Sequence, residues 1–205
     1  MSIQEIVQRV WRRCDLLPGP AQWLRKTLLR LRGARIGRGT WLPRVCVPWP
    51  HQLSIGSRCT VESDVFFKHD GFWKPGPSIR IGDRVFIGCG TEFNIREGIT
   101  IGDDCLIASG CTFIDSDHGT TLGQPMNVQQ GRGSPIVIED NVWLGAQCVV
   151  LKGVRLCSGA IIGAGSVVTK SIPAGEVWAG VPARRLRASE TLLQPSQSNS
   201  QTTHS

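Results

Sequence analysis

Between Ile138 and Pro173 the aliphatic residues return at every sixth position. Ile138, Leu144, Val150, Leu156, Ile162 and Val168 open six consecutive hexads. The second place is usually glycine or small, as at Gly145 and Gly163, and the fifth is always small or β-branched, as at Cys148 and Ala160. Neither a helix nor a simple strand repeats with that period. A fixed period of six predicts an all-β solenoid, a parallel β-helix in which three short strands and three turns make one triangular coil. The same register runs back through Ile36 and Leu42, then Ile55, Val61 and Phe67, then Ile81, Ile87 and Phe93, then Ile101, Ile107 and Phe113. It predicts about six coils, with the three phenylalanines stacked in the third hexads of theirs. Interruptions follow the third hexad each time, at residues 68–78, 94–98 and 114–135. Insertions gathered on one edge of a solenoid mark its binding face.

The ends of the chain follow other patterns. Ser2-Ile3-Gln4-Glu5 is a capping box, and Ile3, Ile6, Val7, Val10, Trp11, Cys14 and Leu17 keep helical spacing. Pro18-Gly19-Pro20 ends that helix, and a shorter one through Trp23, Leu24, Leu28 and Leu31 stops near Gly33. Residues 1–35 are thus expected as a helical arm, residues 36–187 as the β-helix with a terminal cap over 174–184, and residues 188–205 as a polar, disordered tail.

Charge adds to this division. Residues 1–38 hold nine basic and two acidic side chains, whereas the remainder is balanced at 14 of each. The basic excess belongs to the arm, which argues against a nucleic-acid protein with basic residues spread across its main domain. The arm has two compatible readings: a cap on the open first coil, or a Trp- and Arg-bearing face resting on an anionic membrane surface. No apolar run reaches the length of a membrane span. Of eight cysteines, Cys59, Cys105, Cys111 and Cys148 fall at the small fifth place of hexads, and no C-x-x-C occurs. They read as apolar fillers in a reducing cytoplasm rather than as a disulfide or zinc framework.

Candidate chemistry is sparse. His204 lies in the tail, and His51 and His69 lie in early turns without evident partners, as surface residues do. His118 differs, since it closes the run Phe113-Ile-Asp-Ser-Asp-His118 where the fourth coil gives way to the longest insertion. That insertion reads as flexible, and its length and its place beside His118 make residues 119–135 a candidate wall of a binding pocket.

The hexads, the Asp115-Ser-Asp-His-Gly119 stretch and the runs NVWLGAQCVVLKGV, IGAGSVVTKSIP and AGVPAR resemble the hexapeptide-repeat O-acetyltransferases. These include the galactoside, maltose, nodulation-factor and colanic-acid-type polysaccharide enzymes, and the basic arm looks most like the polysaccharide branch. The resemblance spans residues 33–187 and is most specific over 101–187. It implies a left-handed β-helix, against the usual right-handed crossover, that forms a homotrimer with acetyl-CoA in a groove between subunits and needs no metal. It implies His118 as general base, because an alcohol is a poor nucleophile until an imidazole takes its proton. Asp115 or Asp117 would orient that imidazole, or would simply be solvated loop carboxylates. Asn94, Asp117 and Trp143 match positions near the acceptor and thioester. Ala146 and Ala164 match the small residues whose amides meet the pantetheine arm, and Thr169, Lys170 and Arg184 match positions near the adenosine phosphates. The function so implied is acetyl transfer to a sugar hydroxyl, in polysaccharide or glycolipid synthesis, by a cytoplasmic enzyme peripheral to the inner face of the membrane. A γ-carbonic anhydrase would need three convergent histidines and a closely spaced pair, neither of which is present. A serine acetyltransferase would carry a larger helical N-terminal domain. A non-catalytic scaffold would need neither His118 nor the Lys170/Arg184 pair.

Overall fold

A computed structural model describes residues 20–189. The chain winds as a left-handed parallel β-helix with three faces. Face A stacks β1 (Arg35–Ile36), β2 (Leu53–Ile55), β5 (Ile79–Ile81), β8 (Ile99–Ile101), β11 (Ile136–Ile138) and β14 (Arg155–Leu156). Face B stacks β3 (Thr60–Val61), β6 (Phe86–Ile87), β9 (Leu106–Ile107), β12 (Trp143–Leu144), β15 (Ile161–Ile162) and β17 (Glu176–Ala179), and β18 (Arg184–Ala188) folds back antiparallel on β17. Face C stacks β4 (Phe66–His69), β7 (Glu92–Ile95), β10 (Thr112–Ile114), β13 (Val149–Leu151) and β16 (Val167–Val168). The aliphatic first positions fill the interior, and Ile87, Ile107, Leu144 and Leu156 are wholly inaccessible. Phe67, Phe93 and Phe113 form the expected column, with successive ring centroids 4.9 Å apart. Burial of each such side chain contributes roughly 1.5–3 kcal/mol.

Three hexad places have separate reasons for their residues. A side chain at Gly37, Gly56 or Gly82 would strike the next coil, so the second place carries glycine there. The fifth place is buried and small, and Cys59, Cys105, Cys111 and Cys148 sit there as free thiols. The fourth place turns the corner with a left-handed backbone. It is glycine at Gly39, Gly90, Gly110, Gly153, Gly159 and Gly165, but Arg58, Asp64, Arg84, Asp104, Asn141 and Gln147 hold φ of 57–60° there. Between coils an aspartate ladder carries extra hydrogen bonds: the Ser57 N–H donates to Asp83 at 2.7 Å, Asp83 N–H to Asp103 at 2.8 Å, and Asp103 N–H to Asp140 at 2.8 Å.

The predicted helix before Gly33 is α1 (Pro20–Leu31). It ends in a Schellman motif, with Gly33 at φ 96° and the N–H groups of Gly33 and Ala34 bonded back to Arg30 and Leu29. It lies on the first coil through Leu29, through Lys26 Nζ to the Thr40 carbonyl (3.2 Å) and through Arg30 to the Ile36 carbonyl (2.7 Å). The apolar side chains that suggested a capping face point the other way: Trp23, Leu24, Leu28 and Leu31 are all exposed. The earlier helix over 3–17 and most of the tail lie outside the described residues. The insertions leave the coils where expected, between faces C and A, at residues 70–78, 96–98 and 115–135.

Candidate active site

His118 stands on the corner between faces C and A, four residues beyond β10, and is exposed. Its ring makes no hydrogen bond among the described residues. The backbone beneath it is held firmly. Asp115 is fully buried, and its carboxylate accepts the N–H groups of Arg96, Glu97 and Gly98, each at 2.8 Å. Burial pushes that carboxyl up, against the pull of the three backbone donors. Asp117, one residue before the histidine, pairs with Lys152 of the next coil and accepts the Arg132 N–H at 3.0 Å. The Lys152 ammonium, first, and that N–H hold the Asp117 carboxyl below its ordinary range. Neither carboxylate touches the imidazole, so both are structural anchors of the His118 loop.

The insertion itself is more ordered than its composition suggests. Ser116 bridges Gly133 across its base, and the Ser134 N–H reaches the Asp115 carbonyl at 2.8 Å. Farther out, the Gln129 side chain accepts from the Thr121 N–H at 2.7 Å and donates to the carbonyls of Thr121 and Gln124 at 3.0 and 2.9 Å. One glutamine amide thus staples a loop that reads from sequence as flexible.

The remaining predicted positions fall into two groups. Asn94 closes face C one coil below His118, its amide bonded to Glu92 at 2.9 Å. Thr169 and Lys170 follow β16 and are exposed on the C–A corner, two coils above His118. The second group occupies the corner between faces B and C. Ala146 follows β12 and Ala164 follows β15, and the two stack so closely that a side chain on Gly145 would come within 2.5 Å of the Ala164 nitrogen. Neither alanine N–H is used by another described residue. Arg184 opens β18 beside this column, paired with Ala179 and exposed. Trp143 lies on face B, half exposed. Within one chain, face C separates the histidine corner from the alanine corner.

Lys152 escaped the sequence reading. It had a signal, because Lys152 and Lys170 hold the same third place in third hexads of consecutive coils and therefore stack. Two histidines also differ from expectation. His69 is buried at the end of β4, where Nε2 donates to the Phe72 carbonyl at 3.3 Å. His51 is half-buried in a short 3-10 turn over Pro50–Gln52, bonded to Gln52 and flanked by two tryptophans. Among the described residues there is no cluster of three metal-ligating side chains and no helix long and apolar enough to cross a membrane.

Comparison with known proteins agrees with the fold. A family model described as the hexapeptide repeat of succinyl-transferase matches residues 78–113 and 135–170, stopping at either side of the His118 insertion. The galactoside O-acetyltransferase of Escherichia coli is 33% identical over 139 residues, which is 65% of this chain and 63% of that enzyme. A tetrahydropyridine-dicarboxylate N-acetyltransferase of Staphylococcus aureus is 47% identical over 60 residues, 29% of this chain and 25% of that one. The chain therefore spans less than two thirds of these relatives. A hexapeptide-repeat acetyltransferase from Vibrio cholerae, solved with acetyl-CoA, superposes with a TM-score of 0.57 at 28% identity, covering 85% of this chain and 81% of that one. An N-acyltransferase from Bacillus cereus, solved with dTDP and coenzyme A, shares the fold at a TM-score of 0.69 and 18% identity, covering 80% and 89%.

Proposed function

We propose, from the hexapeptide-repeat match and the acetyltransferase relatives that accompany it, that the chain is a hexapeptide-repeat acetyltransferase that moves the acetyl group of acetyl-CoA to a hydroxyl of a sugar, in a polysaccharide or glycolipid precursor. The observation that carries the reading is His118, an exposed imidazole on a rigid backbone at the mouth of the largest insertion. Neutral imidazole accepts the proton of the sugar hydroxyl as its oxygen attacks the thioester carbonyl. The C–S bond then breaks, the imidazolium returns its proton to the departing thiolate, and an acetyl ester and free coenzyme A remain.

The residues present fit the co-substrate. The Ala146 and Ala164 amides are unspent and unshielded by long side chains, as an extended pantetheine arm requires. Lys170 and Arg184 are exposed cations that suit its phosphates. Because these groups sit on two different corners, the reading places the site between copies of the chain in a homotrimer. Asn94 and the 119–135 loop face the acceptor in this reading, and Trp143 the thioester. The basic arm supports the polysaccharide branch and a cytoplasmic enzyme resting on an anionic membrane, with the outward apolar face of α1 as its contact.

Calorimetric titration of acetyl-CoA into the parent and into His118→Ala tests this, together with transfer to a panel of p-nitrophenyl glycosides. Both proteins should bind about equally, and the variant should lose roughly 10²–10⁴ in transfer rate. Failure of the parent to bind acetyl-CoA, or full transfer by the variant, overturns the reading. Relatives that acylate nitrogen make the product bond worth checking: an ester is released by hydroxylamine, an amide is not.

A further inference from the structure

In the first coil, on the corner between faces C and A, lies a cleft that the acetyl-transfer chemistry does not use. It encloses about 480 Å³ and is lined by Arg32, Pro48, Trp49, Pro50, His51 and Trp73. Trp73 belongs to the 70–78 insertion, which leaves the C–A corner two coils below the insertion carrying His118. His51 sits between the two indoles, its ring centroid 5.7 Å from that of Trp49 at 76° and 6.2 Å from that of Trp73 at 34°. Trp49 is 39% and Trp73 68% exposed, so both present a broad apolar flank to solvent.

The cleft is built rather than incidental. Buried Gln52 accepts from the Ser78 N–H at 3.1 Å and the Ser78 hydroxyl at 2.7 Å, which fixes which end of its amide is oxygen. The nitrogen end donates to the Lys74 carbonyl at 2.6 Å and faces His51 Nε2 at 3.0 Å. An amide nitrogen only donates, so His51 Nε2 is the acceptor and the ring proton is on Nδ1. That Nδ1–H has no partner among the described residues. Gly33 and Gly76 pack directly on His51, where any side chain would collide with it. The result is two splayed indoles, one committed imidazole donor and one guanidinium, with no carboxylate in the lining.

We propose that this cleft is a glycan subsite: it takes a pyranose ring of the acceptor that is remote from the acetylated hydroxyl. An indole face is flat, apolar and electron-rich at its centre, which suits the C–H face of a pyranose. His51 Nδ1–H and Arg32 supply donors to hydroxyl or carboxylate oxygens at the ring edge. The choice of acceptor as ligand rests on the sugar-transferase reading above. Adjacent coils are about 4.8 Å apart, so the Trp73 and His118 loops are offset by roughly 10 Å along the axis. A short oligosaccharide spans that distance on one edge of the solenoid, and a monosaccharide does not.

The test is a bacterial-glycan array probed with the labelled full chain, with Trp73→Ala and with His118→Ala, beside acetyl-CoA calorimetry for all three. The parent and His118→Ala should label the same oligosaccharides, and Trp73→Ala should label them about tenfold less while binding acetyl-CoA as the parent does. Equal labelling by Trp73→Ala, or no glycan labelled by the parent, overturns the subsite. A parent that labels glycans through Trp73 but binds no acetyl-CoA leaves the cleft standing and removes the transferase. If Trp73→Ala instead loses pelleting with phosphatidylglycerol vesicles and keeps its glycans, the tryptophans serve a membrane and the glycan assignment fails.

Discussion

Asp115 shows how one side chain shapes the candidate site from beneath. From sequence it is one of two loop carboxylates beside a histidine, either orienting the ring or simply solvated. Its burial is invisible there, because it depends on the shortened turn of the coil below, whose three N–H groups would otherwise point into the interior without partners. Asp115→Asn keeps the shape but turns an NH2 group toward those donors. We expect a loss of about 1–3 kcal/mol in unfolding free energy, measured by urea denaturation. Transfer should slow with acetyl-CoA affinity unchanged, since the alanine corner is not disturbed. An unchanged unfolding midpoint would show that the carboxylate charge is not what holds the turn. His51 and His69 differ in the same respect: each reads as an isolated turn residue, yet His69 bonds the Phe72 carbonyl three residues on, and His51, already beside Trp49 and Gln52, gains Trp73 from an insertion that only the coil stack brings over it.

Among the elements, strands and insertions differ in how far they were legible. The first, second and fifth hexad places were readable because the interior and the inter-coil gap admit only certain volumes. The fourth place was not, because its requirement is a backbone angle that arginine, aspartate, asparagine and glutamine meet here as well as glycine, so no residue type repeats. The 115–135 insertion was placed correctly but misjudged in order, since its staples are a glutamine amide and an ion pair to another coil. That ion pair gives the insertion a pH dependence. Asp117 has its carboxyl lowered in the fold, so its contribution is present above the unfolded value of about 3.9 and is lost as pH falls through the lower folded value. Hydrogen exchange at 131–134, corrected for intrinsic rates, should stay protected from neutral pH to about pH 4 and weaken below it. Lys152→Ala should weaken it across the range. Protection that ignores both changes would mean that the backbone bridge at Ser116 and Gly133 alone closes the loop.

For the whole molecule, the six-residue period establishes a stack of coils but carries no information about which corner of one copy faces another. The resemblance implied a site between subunits, and the single chain supplies a reason: face C stands between His118 and the Ala146/Ala164 column. If a site joins the histidine corner of one copy to the alanine corner of the next, two differently disabled chains should repair each other. His118→Ala removes the proposed base, and Ala164→Trp blocks the proposed arm of the groove on an exposed turn, and each homotrimer should be inactive. Refolding the two together, or co-expressing them with separate tags, makes mixed rings in which about a quarter of the interfaces pair an intact histidine corner with an intact alanine corner. Transfer should recover to about that fraction, whereas the two homotrimers mixed after assembly should remain silent. If the mixed rings stay inactive while still binding acetyl-CoA, both corners must serve one chain. The co-substrate would then have to lie across face C, over the outward side chains of β10, β13 and β16, rather than in a groove between copies.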